Sequence, residues 1–148
     1  MFYFFSHASS DDTQRALFNL SKVLSGFQAM NRSMTIELAN VFLLVALKEG
    51  QRSVDYGKET GLTQSTISRH LLDLSDYRRD LTEAAGGAGR KEGYGLVKAE
   101  VDPMELRAKR YYLTHKGRTQ VQRILGLLAG EDLGRVKVGV TAMKARSA

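Results

Sequence analysis

The apolar positions of this chain recur at two periods, and the changes of period mark out its elements. Across residues 11–30, DDTQRALFNLSKVLSGFQAM, Leu17, Leu20, Leu24 and Phe27 step by three and four, which lays one apolar stripe along a helix. Asp11 or Asp12 is the expected N-cap. Residues 35–49, TIELANVFLLVALKE, are apolar over most of their surface and predict a central helix, capped by Thr35 and ended by Gly50. A short helix over 53–60, capped by Ser53, leads into a turn at Gly61. LTQSTISRHLLDL, residues 62–74, predicts a helix with Thr63 as N-cap and Ile67, Leu71 and Leu74 on one face. Ser65, Ser68, Arg69 and Leu72 then point the other way. The apolar stripe extends as far as Leu81, so this helix is free to run past Tyr77.

The glycine-dense AAGGAGRKEGYG, residues 84–95, breaks any helix and predicts a flexible loop. GLVKAEV (95–101) alternates as a strand does, and KRYYLT (109–114) is β-branched and aromatic enough for a second strand. With DPMELRA (102–108) as the loop between them, the two read as a hairpin. Thr114 caps a last helix whose stripe is Val121, Ile124, Leu125 and Leu128. Residues 131–148 are compatible with strand, irregular arm and weak helix alike. No internal repeat is present. The order helix, helix, short helix, helix, β-hairpin, helix, tail predicts a mainly α fold with a small β-hairpin (α+β), a winged helix-turn-helix.

Composition narrows the function classes. The 148 residues carry a formal net charge of +6, with 43% hydrophobic residues, which suits one core. The basic excess, with a pI near 9.7, favours a polyanionic partner, nucleic acid or an anionic membrane surface. Cysteine is absent, which removes disulfides, thiolate metal sites and cysteine nucleophiles. No apolar run reaches the roughly 18–20 residues that a membrane span needs. The N-terminal MFYFF is short, lacks a basic lead and is followed by SHASSDD, so it makes no secretory signal and is expected to pack, for instance on a partner subunit. A cytoplasmic location is the default expectation.

A helix that reads DNA needs short polar side chains near its N-terminus, one or two long donors, and an apolar inner face. Residues 62–74 meet that description. They equally meet that of a capped amphipathic helix with a solvated outer face. The preceding short helix and Gly61 tilt the balance toward DNA. In the hairpin loop, Glu105 and Arg107 stand two apart, so Glu105 is expected to hold the Arg107 guanidinium. An arginine at a hairpin tip is placed to enter a minor groove. Taken alone, the pair is better read as a solvated surface contact worth under about 1 kcal/mol. Lys98, Lys109, Arg110, Lys116, Arg118, Arg78, Arg79, Arg90 and Lys91 would together make a phosphate-binding surface, though each singly is ordinary solvated charge. His7, His70 and His115 lack metal-ligand spacing, and GGAGRKEGYG is neither a Walker A loop nor a dinucleotide fingerprint. No nucleophile–base pair stands out, and neither an enzyme nor a cofactor is expected.

Three blocks resemble the MarR family of winged-helix transcriptional regulators. MTIELANVFLLVALKEG looks like the helix leading into that family's DNA-binding lobe, and SVDYGKETGLTQSTISRHLLDL like its helix-turn-helix. GLVKAEVDPMELRAKRYYLTHKG looks like its wing, ending in the leucine-threonine-x-x-glycine signature at Leu113 to Gly117. The third block is the most specific. The resemblance implies a homodimer on a pseudo-palindromic double-stranded DNA operator, with recognition helices in successive major grooves and wings in the flanking minor grooves. It places Gln64, Ser65, Thr66, Ser68 and Arg69 at the recognition-helix contacts and Arg107 at the wing tip, with Glu105, where the family has aspartate, orienting it. Lys109 adds a phosphate contact from the wing strand. It further implies three regions: a 1–33 arm and dimerisation helix, a 34–117 DNA-binding domain, and a 118–148 dimerisation helix and tail. A small aromatic or phenolic effector is common in the family.

The chain departs from the pattern at Leu106, often a second basic residue, and at Gly57, usually alanine, which weakens the short helix by under about 1 kcal/mol. It also departs in the long Leu74–Gly95 stretch, which allows an elongated recognition helix, and in a short C-terminal part. The leading expectation is a dimeric repressor. Two others stay open: a plasmid or phage centromere-binding accessory protein, and a winged helix that docks proteins.

Overall fold

A computed structural model of the chain describes residues 10–75, 77–79 and 90–130. The expectations for MFYFF and for the tail over 131–148 lie outside them, as do residues 84–89 of the loop expected over 84–95; in the rest of that loop Arg90–Glu92 form a strand. The chain divides into two compact units, Met1–Met34 with Gln122–Ala148, and Thr35–Val121.

In the first unit, α1 (Ser10–Met30) runs beside the end of α5 (His115–Leu128). The helix begins one residue earlier than its acids suggested. Asp11 and Asp12 therefore lie in its first turn, where they favour the helix dipole, and neither is the cap. Gly26 lets the helices approach: a β-carbon there would stand 2.9 Å from Leu127 Cδ1. Val23, Phe27, Ile124 and Leu127 are buried. Most of the expected stripe is not. Leu17, Leu20 and Leu24 are 62%, 50% and 44% exposed, because Val23, Gly26 and Phe27 form the packed face instead. On α5 Ile124 is buried while Leu125 and Leu128 are exposed.

The second unit is built on α2 (Ile36–Leu47), α3 (Ser53–Thr60) and α4 (Gln64–Leu74), and on the antiparallel hairpin of strands Val97–Asp102 and Glu105–Leu113, called β3 and β4 below. Thr35 caps α2 by accepting from the Leu38 N–H at 3.1 Å. Leu38, Val41, Phe42 and Val45 of α2 meet Tyr56, Ile67, Leu71, Leu74, Leu96 and Val97 in one buried core. Gly61 ends α3 with φ +71°, which glycine adopts without strain. Ser53 opens α3 but does not cap it. Arg52 is the N-cap, and Asp55 accepts its backbone N–H at 3.1 Å.

Two sequence expectations change here. First, α4 stops at Leu74. Ser75 turns extended, its hydroxyl donates to the Leu72 carbonyl at 2.7 Å, and a short strand β1 (Tyr77–Arg79) pairs antiparallel with β2 (Arg90–Glu92). Helix α4 is not elongated, and the stretch after it holds this strand pair. The returning chain seals the helix end, with Leu96 N–H donating to Leu74 O at 2.8 Å. Second, β4 starts at Glu105 and not at 109, so the wing closes in a two-residue turn, Pro103–Met104. Val101 pairs with Lys109 but Asp102 pairs with Glu105, so Leu106, Arg107 and Ala108 bulge out of register.

The signature glycine, Gly117, has a packing cause. A β-carbon there would lie 2.1 Å from the Leu96 carbonyl oxygen, so only glycine lets α5 start against the wing base. Among the described residues no helix is long and apolar enough to cross a membrane.

Candidate nucleic-acid interface

The outer face of α4 is held in place from beneath. Ile67, Leu71 and Leu74 are fully buried, and Tyr56 below them is fully buried too. The Tyr56 hydroxyl donates to the Lys48 carbonyl at 2.5 Å, and burial pushes its pKa up to about 12, so it stays a neutral donor. His70 adds a lateral tie, its Nε2 2.5 Å from Glu37 Oε1 on α2.

At the N-terminus of α4, Thr63 accepts from the Thr66 N–H at 3.3 Å, and its Oγ1 lies 3.1 Å from Ser65 Oγ and 2.9 Å from Thr66 Oγ1. Ser65, Ser68 and Arg69 are exposed and Thr66 is half-buried. Gln64 is exposed yet engaged: its amide donates to Ser53 Oγ at 2.7 Å and Ser68 Oγ at 3.2 Å. Leu72 is 41% exposed at the far end of the same face. No ion pair or hydrogen bond of the Arg69 side chain occurs among the described residues.

The wing is fastened differently. Residues 50–52 run along β4 and pair with it through two backbone hydrogen bonds and one isolated bridge. Gly50 N–H donates to Tyr111 O at 2.7 Å, Tyr111 N–H donates to Gln51 O at 3.1 Å, and Arg52 bridges Arg110. Asp102, 1% exposed, sits at the centre of this seam. Its Oδ2 accepts from Arg52 Nε at 3.2 Å, Arg52 Nη2 at 2.9 Å and Arg110 Nε at 2.9 Å. Its Oδ1 accepts the Met104 N–H at 3.0 Å and so shapes the turn. The Met104 N–H first, then Arg52 and Arg110, hold the Asp102 carboxyl below the usual aspartate range against the desolvation of its site. The Asp102 hydrogen bond in turn raises the Arg52 pKa.

Here a sequence expectation is corrected. Glu105 does not hold Arg107. Its carboxylate accepts from Arg52 Nη1 at 2.7 Å, because the bulge carries Arg107 away while Arg52 arrives from the start of α3. Arg107 and Lys109 are exposed, with no acid partner among the described residues. The broad phosphate surface also shrinks. Arg110 is spent on Asp102 and the Gly50 carbonyl, Arg118 on Glu49 at 3.0 Å, and Lys98 on Glu100 at 2.6 Å. The side chains of Arg78, Arg79, Arg90 and Lys91 lie outside the description. Among the described residues no three His, Asp or Glu side chains converge as a metal site.

Solved structures share the fold. The S. aureus MepR–DNA complex matches at a TM-score of 0.51 and 20% identity, over 99% of this chain and 99% of that one. CouR, a transcriptional repressor bound to a 23-mer DNA duplex, matches at 0.51 and 18%, over 90% of this chain and 87% of that one. A MarR transcriptional regulator from Methanosarcina mazei Go1 matches at 0.54 and 11%, over 91% and 90%. The chain has the fold of the MarR-family regulators. No family model matches its sequence, and no curated protein does.

Within this MarR fold, α4 carries five of the residues singled out in the sequence, and the wing carries Glu105, Arg107 and Lys109. Arg52 and Asp102 were missed. Asp102-Pro103 reads locally as a turn, and nothing in the spacing links it to an arginine fifty positions earlier. A buried aspartate needs a cation, but burial is the fact the sequence withholds.

Proposed function

We propose that the chain is a dimeric, sequence-specific double-stranded DNA-binding transcriptional regulator, acting as a repressor that occludes a promoter. The observation that carries this is the pairing of two exposed surfaces on one unit. One is an α4 face of Ser65, Ser68 and Arg69; the other is a wing with Arg107 and Lys109, and none of these three cations has an acid partner among the described residues. MepR and CouR, which share the fold, are DNA-bound in their structures.

In this reading α4 enters the major groove. Ser65 and Thr66 let the backbone approach, Arg69 addresses a guanine edge, and Gln64 and Ser68, already bonded to each other, present one fixed polar pair. The wing lies in the flanking minor groove, where Arg107 follows the negative potential and Lys109 a phosphate. A second copy covers the exposed Leu17, Phe18, Leu20, Leu24, Leu125 and Leu128. Residues 1–33 and 118–148 then form the dimer part and 34–117 the DNA-binding part. A small-molecule effector acting on that dimer, and a cytoplasmic site of action, complete the proposal.

Selection of bound duplexes from random DNA, with the oligomer mass measured alongside, tests it. Arg69→Ala should relax preference at one base pair by about 1–3 kcal/mol. Arg107→Ala should weaken all duplexes alike and lower the salt slope by about one. A monomeric mass, or two alanine variants that bind like the parent, would sink it.

A further inference from the structure

The wing tip is not the cationic finger that a groove-reading hairpin most simply needs. It presents apolar side chains to solvent: Met104 at 90%, Leu106 at 79% and Val101 at 55%, with exposed Pro103 at the turn. Water-facing methionine and leucine at the end of a two-residue turn gain nothing within this unit. The register explains how Leu106 comes to be presented. It is one of three bulged residues without a partner on β3, so the ladder does not hold it against the sheet.

Charge identifies what this tip meets. Two carboxylates, Asp102 and Glu105, stand at the base of the turn and alone would repel a phosphate backbone. Both are neutralised by Arg52, and Asp102 also by Arg110. The two cations directly after the apolar residues, Arg107 and Lys109, have no acid partner among the described residues. The tip is therefore apolar at its point and positive behind it. That matches a minor groove, whose phosphate rims attract cations and whose floor exposes the edges of stacked bases. Methionine, leucine and proline are side chains that partly unstack such steps and bend the duplex. An uncharged protein groove would match the apolar point but would leave Arg107 and Lys109 without a role.

We propose that Met104 and Leu106 act as an apolar wedge, entering the minor groove at one base step beside each α4 contact and bending the duplex there. The wedge rests on the DNA-binding reading above and adds a site preference to it. A flexible pyrimidine–purine step would be favoured under each wing, at a position with no hydrogen-bonded base contact.

The test uses the full-length protein and a duplex recovered by selection, with 2-aminopurine placed in turn at the steps flanking the α4 site and with end-labels that report bending. Binding should raise 2-aminopurine fluorescence at one step per wing and shorten the end-to-end distance. The doubly substituted Met104→Ser, Leu106→Ser protein should lose both signals and bind on the order of tenfold more weakly, with an unchanged salt slope. Arg107→Ala should do the reverse, lowering the salt slope while keeping both signals at saturation. Both replaced side chains are exposed, so an unaltered melting temperature confirms that the serine variant folds. Gel-shifted duplex with no fluorescence or bending signal would overturn the wedge and leave the DNA reading standing. So would a serine variant that binds and bends like the parent, which would assign the tip to a protein partner. Failure to shift any duplex at low salt would overturn both.

Discussion

Helix α4 and the wing are held to the same unit by opposite kinds of force. Beneath α4 lie Ile67, Leu71, Leu74 and Tyr56, all with no exposed surface. Beneath the wing tip lies one buried carboxylate, Asp102, gripped by two guanidiniums and a backbone N–H. Apolar burial is non-directional and shared among many contacts, so it sets where a helix sits and resists changes of charge. A buried charge cluster is directional and concentrated in a few bonds, so it sets an orientation and fails when one partner goes. The unit thus takes its stability from the α4 side and the aim of its hairpin from the Asp102 side.

The largest expected effect breaks the first side. Ile67→Ala should destabilise the Thr35–Val121 unit by about 2–5 kcal/mol, because it leaves a cavity in a fully packed site. Urea unfolding should show a lower midpoint with an unchanged slope, and DNA binding should fall only with the folded fraction.

Asp102→Asn addresses the second side. It removes the charge that organises Arg52 and Arg110 while leaving the α4 core untouched. Binding should weaken by about tenfold, the cost of losing a preorganised wing. A hydroxyl-radical footprint should lose its flanking minor-groove protection and keep the central protection under α4. Loss of both together would show that the two sides do not separate. The same residue sets an acid dependence. Its folded pKa is depressed, so its stabilisation is complete above about pH 4 and is lost as pH falls through the lower folded value. Unfolding curves from neutral to acidic pH should show that limb in the parent and a flattened one in Asp102→Asn.

The smallest expected effect is a gain. Gly57 lies inside α3 with ordinary helical backbone, and a methyl there would make van der Waals contact at 3.5 Å from Leu62 O and 3.6 Å from Ile67 Cγ2. Gly57→Ala should therefore stabilise by up to about 1 kcal/mol through helix propensity alone. A fall in melting temperature would mean that the α3–α4 packing needs the missing methyl, and so would sharpen how tightly the core side is built.

Much of this was legible in the chain. The three-and-four steps of Ile67, Leu71 and Leu74 named the buried face of α4, Thr63 named its start, and Gly61 the turn before it. These are local signals, in which period and cap chemistry act within a turn or two of the backbone. Expectations failed where a residue's partner came from far along the chain. Leu17, Leu20 and Leu24 form a true stripe, but periodicity cannot say whether this unit or another copy covers it. The stripe running on toward Leu81 suggested a longer helix, yet pairing of Tyr77–Arg79 with Arg90–Glu92 outweighed helical continuation. Glu105 and Arg107 looked like partners because they are neighbours, but a bulge separated them and Arg52 took the carboxylate.

By itself, then, the sequence determined the helices, the hairpin, their order, and the short polar face of α4 with its arginine. Each follows from side-chain period, caps and turn residues that act locally. Only the tertiary structure decided which arginines of the described residues pair with an acid and which face solvent. The arginines at 52 and 110 look no different in the chain from those at 69 and 107. Folding buries Asp102 beside the first two and leaves the second two in solvent, because a desolvated carboxylate must be paired and these guanidiniums are the ones that the β4 seam brings to it.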